Sequence, residues 1–125
     1  MTSATHTAVL TQVCAVAQLS PDLGVAALFG TLQVAIFRLT DGTVYAVQNL
    51  DPFSGAQVMS RGITGSRDGE PTIASPIYKQ VFSLITGACL VTMDREPVSP
   101  GATDLETFDV TVDNGQVFIN LAGRE

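Results

Sequence analysis

The chain is poor in histidine, cysteine and basic residues. Of its 125 residues, one is histidine and two are cysteines. The histidine, His6, lies in a polar N-terminal stretch, which favours a solvated residue over a catalytic base. Cys14 and Cys89 are far apart and lie among apolar residues, which favours two buried, unreactive thiols over a redox role. Two free thiols are favoured over a disulfide between them because disulfides are rare in the cytosol.

The charge balance and the hydrophobic runs exclude several classes of partner. Six basic residues face twelve acidic ones, giving a formal net charge of -6, which disfavours nucleic acid and anionic membrane surfaces. No apolar run approaches the roughly 18–20 residues of a membrane span. Residues 1–7 lack the basic region and apolar core of a signal peptide. Together with the two distant cysteines, these features predict a cytoplasmic protein with no membrane or nucleic-acid partner.

Short apolar segments separated by Gly, Asp and Pro turns predict a single all-β domain. We expect the domain to cover residues 9–122, with flexible tails at 1–8 and 123–125. Hairpins are predicted at Gly30-Thr31, Asp41-Gly42 and Asn114-Gly115. No amphipathic helix of about ten or more residues is predicted. The predicted strands are residues 9–16, 25–29, 32–39, 44–47, 108–112 and 117–121, and the predicted long loops are 62–71 and 94–103.

Two motifs carry the strongest signal in the chain. The segment Ser-Pro-Ile-Tyr-Lys-Gln-Val-Phe-Ser-Leu-Ile-Thr-Gly, residues 75–87, resembles the second cluster-binding box of a Rieske iron–sulfur domain, Cys-Pro-x-His-Gly-x-x-Phe-x-Leu-x-Thr-Gly. The proline, phenylalanine, leucine and Thr-Gly positions agree. The two ligand positions do not, because Ser75 stands for the cysteine and Tyr78 for the histidine.

The first box departs from the Rieske pattern in the same way. The segment Asp-Pro-Phe-Ser-Gly-Ala, residues 51–56, resembles Cys-Pro-His-x-Gly-Ala, with Asp51 at the cysteine and Phe53 at the histidine. A Rieske centre needs two Cys on one iron and two His on the other. The resemblance therefore implies an all-β, Rieske-like antiparallel sandwich or barrel, with a small subdomain formed by the two former cluster-binding loops. It also implies no catalytic, cofactor-binding or metal-binding residue on this chain.

The replacement of all four ligands is similar to the pattern of one family, the small subunits of bacterial assimilatory NAD(P)H-dependent nitrite reductase. The resemblance covers nearly the whole chain. It implies a cytoplasmic, non-catalytic subunit that supports or assembles with a large subunit. That partner is expected to carry FAD, an iron–sulfur cluster and sirohaem, and to reduce nitrite to ammonium with NADH or NADPH.

Within this fold the two boxes should be neighbouring loops at one tip of the domain. Asp51 and Ser75 are expected to bond to loop amides, and Phe53 and Tyr78 to pack on each other in place of the cluster. Three of the six basic residues lie in or between the boxes. The candidate partner interface is therefore Phe53, Arg61, Arg67, Tyr78 and Lys79.

Two alternatives remain open at the level of sequence. The chain could be a cluster-free β module that another oxidoreductase uses for interaction. It could instead be a stand-alone electron carrier of the ferredoxin type, but the four missing ligands argue against this. The stoichiometry of the assembly and the choice between NADH and NADPH do not follow from the sequence.

Overall fold

A computed structural model describes residues 10–122. His6, Val9 and both predicted tails lie outside these residues. The described chain is almost entirely β-structure, with two short 3-10 helices at Val16–Gln18 and Met59–Arg61. The strands are β1 Leu10–Ala15, β2 Val25–Phe29, β3 Leu32–Arg38, β4 Val44–Gln48, β5 Ile63–Arg67, β6 Glu70–Ala74, β7 Val81–Ser83, β8 Cys89–Val91, β9 Thr107–Phe108, β10 Val110–Asp113 and β11 Gln116–Asn120.

The strands form three antiparallel sheets, which confirms the predicted Rieske-like fold class. Their orders are β1-β11-β10, β2-β3-β4-β9 and β5-β6-β7-β8. No helix in residues 10–122 is long and apolar enough to cross a membrane. The two boxes lie around the third sheet: box one follows β4, and box two starts in the connection between β6 and β7 and continues through β7.

The central strand β3 is buried on both faces, which explains its continuous apolar sequence. Successive side chains of a strand point to opposite faces. Val34 and Ile36 accordingly enter a core cluster shared with β11, whereas Ala35 and Phe37 enter a second cluster shared with box one and the third sheet. The second cluster is therefore a hydrophobic core that lies directly beneath the tip.

The three predicted hairpins are confirmed. Phe29 pairs with Leu32 across Gly30-Thr31, and Asp113 pairs with Gln116 across Asn114-Gly115. Both turns contain residues with positive φ, as short hairpin turns require.

The prediction that residues 62–71 form a loop was wrong. They contain β5 and the start of the neighbouring strand β6, joined at Asp68-Gly69, both of which have positive φ. Most of β5 is exposed because it is the edge strand of its sheet, and the exposed face of an antiparallel sheet can be polar. The polar, glycine-containing sequence of β5 lacks the apolar alternation that usually predicts a strand, although Asp-Gly is a hairpin signal.

The strands β7, which lies within box two, and β8, which follows it, were not predicted. They are joined by a tight turn through Thr86 and Gly87, where the N–H of Gly87 donates to the carbonyl oxygen of Ser83 at 2.9 Å. Ser83 is buried, and its Oγ accepts from the N–H groups of Ile85 at 3.1 Å and Thr86 at 3.2 Å. The same hydroxyl donates to Glu70 on β6. Box two thus ends in a fixed turn.

Candidate functional site

The two boxes meet through a direct hydrogen bond between former ligand positions. The Oγ of Ser75 donates to Oδ2 of Asp51 at 2.6 Å, and both side chains are buried. Asp51 also accepts from the N–H of Phe53 at 2.9 Å and from the Oγ of Ser54 at 2.9 Å. The expected bond from Ser75 to a loop amide is present too, because its Oγ accepts from Ile77 N–H at 3.1 Å. One buried side-chain bond therefore ties the two loops together.

Each box is also closed by its own backbone. In box one the N–H of Gly55 donates to Asp51 and the N–H of Asp51 donates to Ala56, each at 2.8 Å. In box two the N–H of Ser75 donates to Gln80 at 2.9 Å. Lys79 stands where the Rieske pattern has glycine, and it keeps the left-handed conformation, with φ of 70°. The turn of box two has thus been retained with a basic side chain on it.

Phe53 and Tyr78 do not form the ring pair that was predicted. Phe53 packs against Phe82 instead, with ring centroids 6.2 Å apart and the rings tilted by 51°, and only 6% of its surface is exposed. Tyr78 is half-buried against the same core cluster. The ring of Phe53 therefore fills the core. Tyr78 remains accessible.

The donor set does not fit an iron–sulfur cluster. The phenyl ring of Phe53 has no atom that can coordinate a metal, and Asp51 and Ser75 are bonded to each other rather than turned toward a shared site. Among residues 10–122 no group of three His, Cys, Asp or Glu side chains is arranged to hold a metal ion. Rieske iron needs thiolate and imidazole ligands, and the two boxes supply neither.

We expect the purified chain to contain no stoichiometric iron or acid-labile sulfide. Each of the four ligand positions carries a side chain that is neither thiolate nor imidazole. Visible absorption spectroscopy and metal analysis of protein purified without chelators would measure this. Two irons per chain, found reproducibly, would contradict our alignment of both boxes.

A third loop, residues 92–103, completes the tip, and sequence reasoning did not place it there. The N–H of Val98 donates to the carbonyl oxygen of Pro52 in box one at 2.8 Å. The side-chain amide of Gln80 in box two donates to the carbonyl oxygen of Thr92 at 3.3 Å. The guanidinium carbon of Arg95 lies 3.6 Å from the ring centroid of Tyr78, which is a cation–π contact. The third loop thus touches both boxes.

The basic residues of the candidate interface are not all at the tip. Lys79 is exposed on box two, and Arg61 is exposed just before Gly62, which lies against the carbonyl of Ala74. Arg67 is at the far end of β5, paired with Glu70. Four residues of strand separate it from the end near box two, about 13 Å. Arg67 therefore lies away from the tip, contrary to the expected cluster.

The two cysteines are free thiols in different sheets. Burial raises the pKa of the Cys14 thiol. Burial also raises the pKa of Cys89, and the negative charges of Asp104 and Asp51 act in the same direction. A raised pKa lowers the thiolate fraction at neutral pH, and the thiolate is the reactive form. Both environments therefore favour the predicted unreactive thiols.

Comparison with known proteins agrees with the geometry of the two boxes. Residues 9–120 match the family described as the Rieske-like [2Fe-2S] domain. The chain is 44% identical to the nitrite reductase (NADH) small subunit of Salmonella typhimurium over 106 residues, which is 84% of this chain and 91% of that one. The chain belongs to the Rieske-like domain family, among the small subunits of nitrite reductase.

Solved structures and longer relatives extend this assignment. A crystal structure described as an NADH-dependent nitrite reductase small subunit from Mycobacterium tuberculosis superposes with a TM-score of 0.78 at 43% identity, covering 90% of this chain and 95% of that one. The chain also matches the nitrite reductase [NAD(P)H] large subunit of Klebsiella oxytoca, with 36% identity over 107 residues. That match covers 86% of this chain and 10% of the Klebsiella protein. A relative of this small-subunit domain thus forms part of a large-subunit chain.

Proposed function

We propose that this small subunit is non-catalytic and that it assembles, through its tip, with a large nitrite reductase subunit. The observation that carries the proposal is the hydrogen bond between Asp51 and Ser75. It joins two of the positions from which a Rieske domain binds its iron–sulfur cluster. The fold of the tip is kept while the cluster ligands are replaced. A surface retained in this way is suited to binding rather than to electron transfer.

The partner class follows from the relatives. Relatives of this chain are described as small subunits of nitrite reductase, and the chain also matches part of the Klebsiella large subunit. Both findings favour a large nitrite reductase chain as the partner. In that assembly FAD, an iron–sulfur cluster and sirohaem would be on the large subunit, which would reduce nitrite to ammonium with NADH or NADPH in the cytoplasm. Joining two modules in one chain raises their effective concentration without adding a contact, so a fused relative is consistent with two modules that work together.

The docking surface combines exposed apolar side chains with basic groups. All three loops contribute to it, and about half of the surface of Ile77 and Met93 is exposed. Buried apolar anchors supply most of the energy of an interface, and charges mainly set orientation and association rate. The residues of this surface are Leu50, Arg61, Ile77, Tyr78, Lys79, Met93, Arg95 and Val98.

A cleft beside box one gives this surface a place for an anchor from the partner. It has a volume of about 390 Å³ and lies between box one and the third loop. Leu50, Pro52 and Val98 supply apolar parts of its lining, and Asp51 and Asp104 also line it. An aromatic or aliphatic side chain of the large subunit would fit the properties of such a pocket.

The charge of the docking surface is mixed, and this limits what it can do. Lys79 and Arg61 are exposed, but Arg95 lies between Asp94 and Glu96 in the third loop. Long-range attraction of an acidic partner therefore depends mainly on Lys79 and Arg61. We infer that these two residues orient the encounter with the large subunit and that the apolar side chains hold the complex.

Charge reversal at Arg61 together with Lys79 is expected to weaken the complex and to lower NAD(P)H–nitrite activity while this chain stays folded. Both side chains are exposed, so the change removes attraction without opening the core. The loss should be largest at low ionic strength, because salt screens exposed charges. Pull-down with the large subunit and activity across a salt series would measure it, with circular dichroism as the check on folding.

The chain supplies a matched control for this experiment. Arg67→Glu makes the same charge change as Lys79→Glu but at the far end of β5. We expect Lys79→Glu to reduce binding and Arg67→Glu to have little effect. If the Arg61 and Lys79 double variant bound as well as the wild type at low salt, the tip would not be the interface.

A further inference from the structure

The strand β2 has an unusually apolar free edge. It is the first strand in the order β2-β3-β4-β9, so in the described part of the chain only β3 pairs with it. Its sequence is Val-Ala-Ala-Leu-Phe, and 67% of the surface of Leu28 is exposed. The preceding Leu23 is also exposed. Edge strands usually carry charges, prolines or bulges that prevent pairing with another chain, and β2 has none of these.

The backbone of β2 leaves hydrogen-bonding groups that point outward. Phe29 and Leu32 close a two-residue hairpin, and pairing then alternates along the antiparallel ladder. Ala27 bonds toward β3, so the N–H and C=O groups of Ala26 and Leu28 point away from it. The side chains of these two residues share one face of the strand, and both are exposed. The opposite face packs on the core through Ala27 and Phe29.

The charge distribution favours a second copy of this chain as the occupant of the edge. The chain has a net charge of -6, so most faces of two copies repel each other. No charged residue occurs between Asp22 and Arg38. The edge of β2 is therefore a place where two copies can meet without bringing like charges together.

We propose that β2 pairs with β2 of a second copy to form a two-fold symmetric dimer. Antiparallel pairing centred on Ala27 would bring Ala26 of one copy opposite Leu28 of the other, twice, using the outward backbone groups of both. This is an isologous interface, in which the same patch serves both subunits. It joins two four-stranded sheets into one continuous sheet and covers Leu28. The proposed pairing uses none of the residues of the three loops at the tip, so a dimer of small subunits would present two docking surfaces.

Sedimentation equilibrium or light scattering on the purified chain, from low micromolar to near-millimolar concentration, tests the proposal. We expect the mass to rise from one chain toward two. Ala26→Pro removes an outward N–H that β3 does not use, and proline is tolerated at such edge positions. Because the dimer loses this donor twice, we expect its dissociation constant to rise on the order of tenfold or more. Leu28→Lys should act in the same direction by placing charge at the contact.

Val112→Lys is the matched control. Val112 is also a half-exposed apolar residue on a terminal strand of a sheet, here β10, and we expect this variant to dimerise like the wild type. A wild-type chain that stays monomeric throughout, or equal weakening by Val112→Lys, overturns the proposal. An edge variant that still dimerises but no longer binds the large subunit also overturns the proposal, because the edge would then be the binding site for that partner. Lys79→Glu should still dimerise, which separates this test from that of the docking surface.

Discussion

Replacing Gly87 with alanine is expected to destabilise the chain by about 3 kcal/mol or more, among the largest effects of a single substitution. Gly87 has φ of 82°, which L side chains rarely adopt. A Cβ atom there would lie 2.0 Å from the carbonyl oxygen of Leu105. The turn cannot simply move away, because the N–H of Leu105 donates to the carbonyl oxygen of Gly87 at 2.8 Å. Urea unfolding followed by circular dichroism would measure the loss.

Gly115→Ala separates the backbone strain from the clash. Gly115 has φ of 78°, close to that of Gly87, but a Cβ atom there would meet nothing within 4 Å. We expect this control to lose only the cost of the left-handed conformation, about 1–2 kcal/mol. Equal losses for the two variants would show that the turn at the end of box two relaxes, and that the Thr-Gly of the Rieske pattern is kept only for its backbone angle.

Local signals were sufficient where short turns dictate the structure. The hairpin at Asp41-Gly42 was predicted correctly, and the N–H of Thr43 donates to Oδ1 of Asp41 at 2.9 Å there. The loop at 94–103 was also predicted correctly, because prolines interrupt strand pairing. In each case the residues that determine the conformation are within a few positions of one another.

The strand β5 could not be recognised in this way. It pairs only with β6, and β6 is in turn held by β7. An exposed edge strand needs no apolar alternation, so its existence depends on partners elsewhere in the chain. The pair Asp68-Gly69 was the one local signal that could have revealed it.

In the candidate site, too, some features were predicted from local sequence and others depend on distant contacts. Asp51 and Ser75 were located from the box pattern, and the structure brings them into contact. The partner of Phe53 and the position of Arg95 were not predicted, because both depend on contacts between segments distant in the sequence. A motif specifies the conformation of its own loop but not what packs on that loop. For this reason the docking surface that we propose omits Phe53 and Arg67 and includes the third loop.

The bond between Asp51 and Ser75 explains how the tip can keep its shape without a metal. In a Rieske domain the cluster links the two boxes covalently through its ligands. Here one buried side-chain bond links them, and the tilted ring contact of Phe53 with Phe82 fills the space below. The docking surface proposed above is built on these two loops. Its shape should therefore depend on the Asp51 carboxyl group.

We expect Asp51→Ala to destabilise the chain by about 3–5 kcal/mol. The substitution removes the acceptor for three donors, of which the N–H of Phe53 and the hydroxyl of Ser75 are buried. An unsatisfied buried donor costs about 1–3 kcal/mol. Ser54→Ala is the control, because it removes one of the three donors at a partly buried position; we expect it to cost about 1 kcal/mol. Urea unfolding at fixed pH would measure both.

Ser75→Ala and the double variant with Asp51→Ala complete the test. If the two side chains act as one link between the boxes, their effects should be non-additive, with a coupling of about 0.5–3 kcal/mol. Additive losses would show that each side chain only supports its own turn. Binding to the large subunit adds a second readout. Asp51→Ala should weaken it at all salt concentrations, since it disturbs the shape of the docking surface, whereas the loss from Lys79→Glu should fade as salt rises. Wild-type binding by folded Asp51→Ala would mean that docking does not depend on how the boxes are joined.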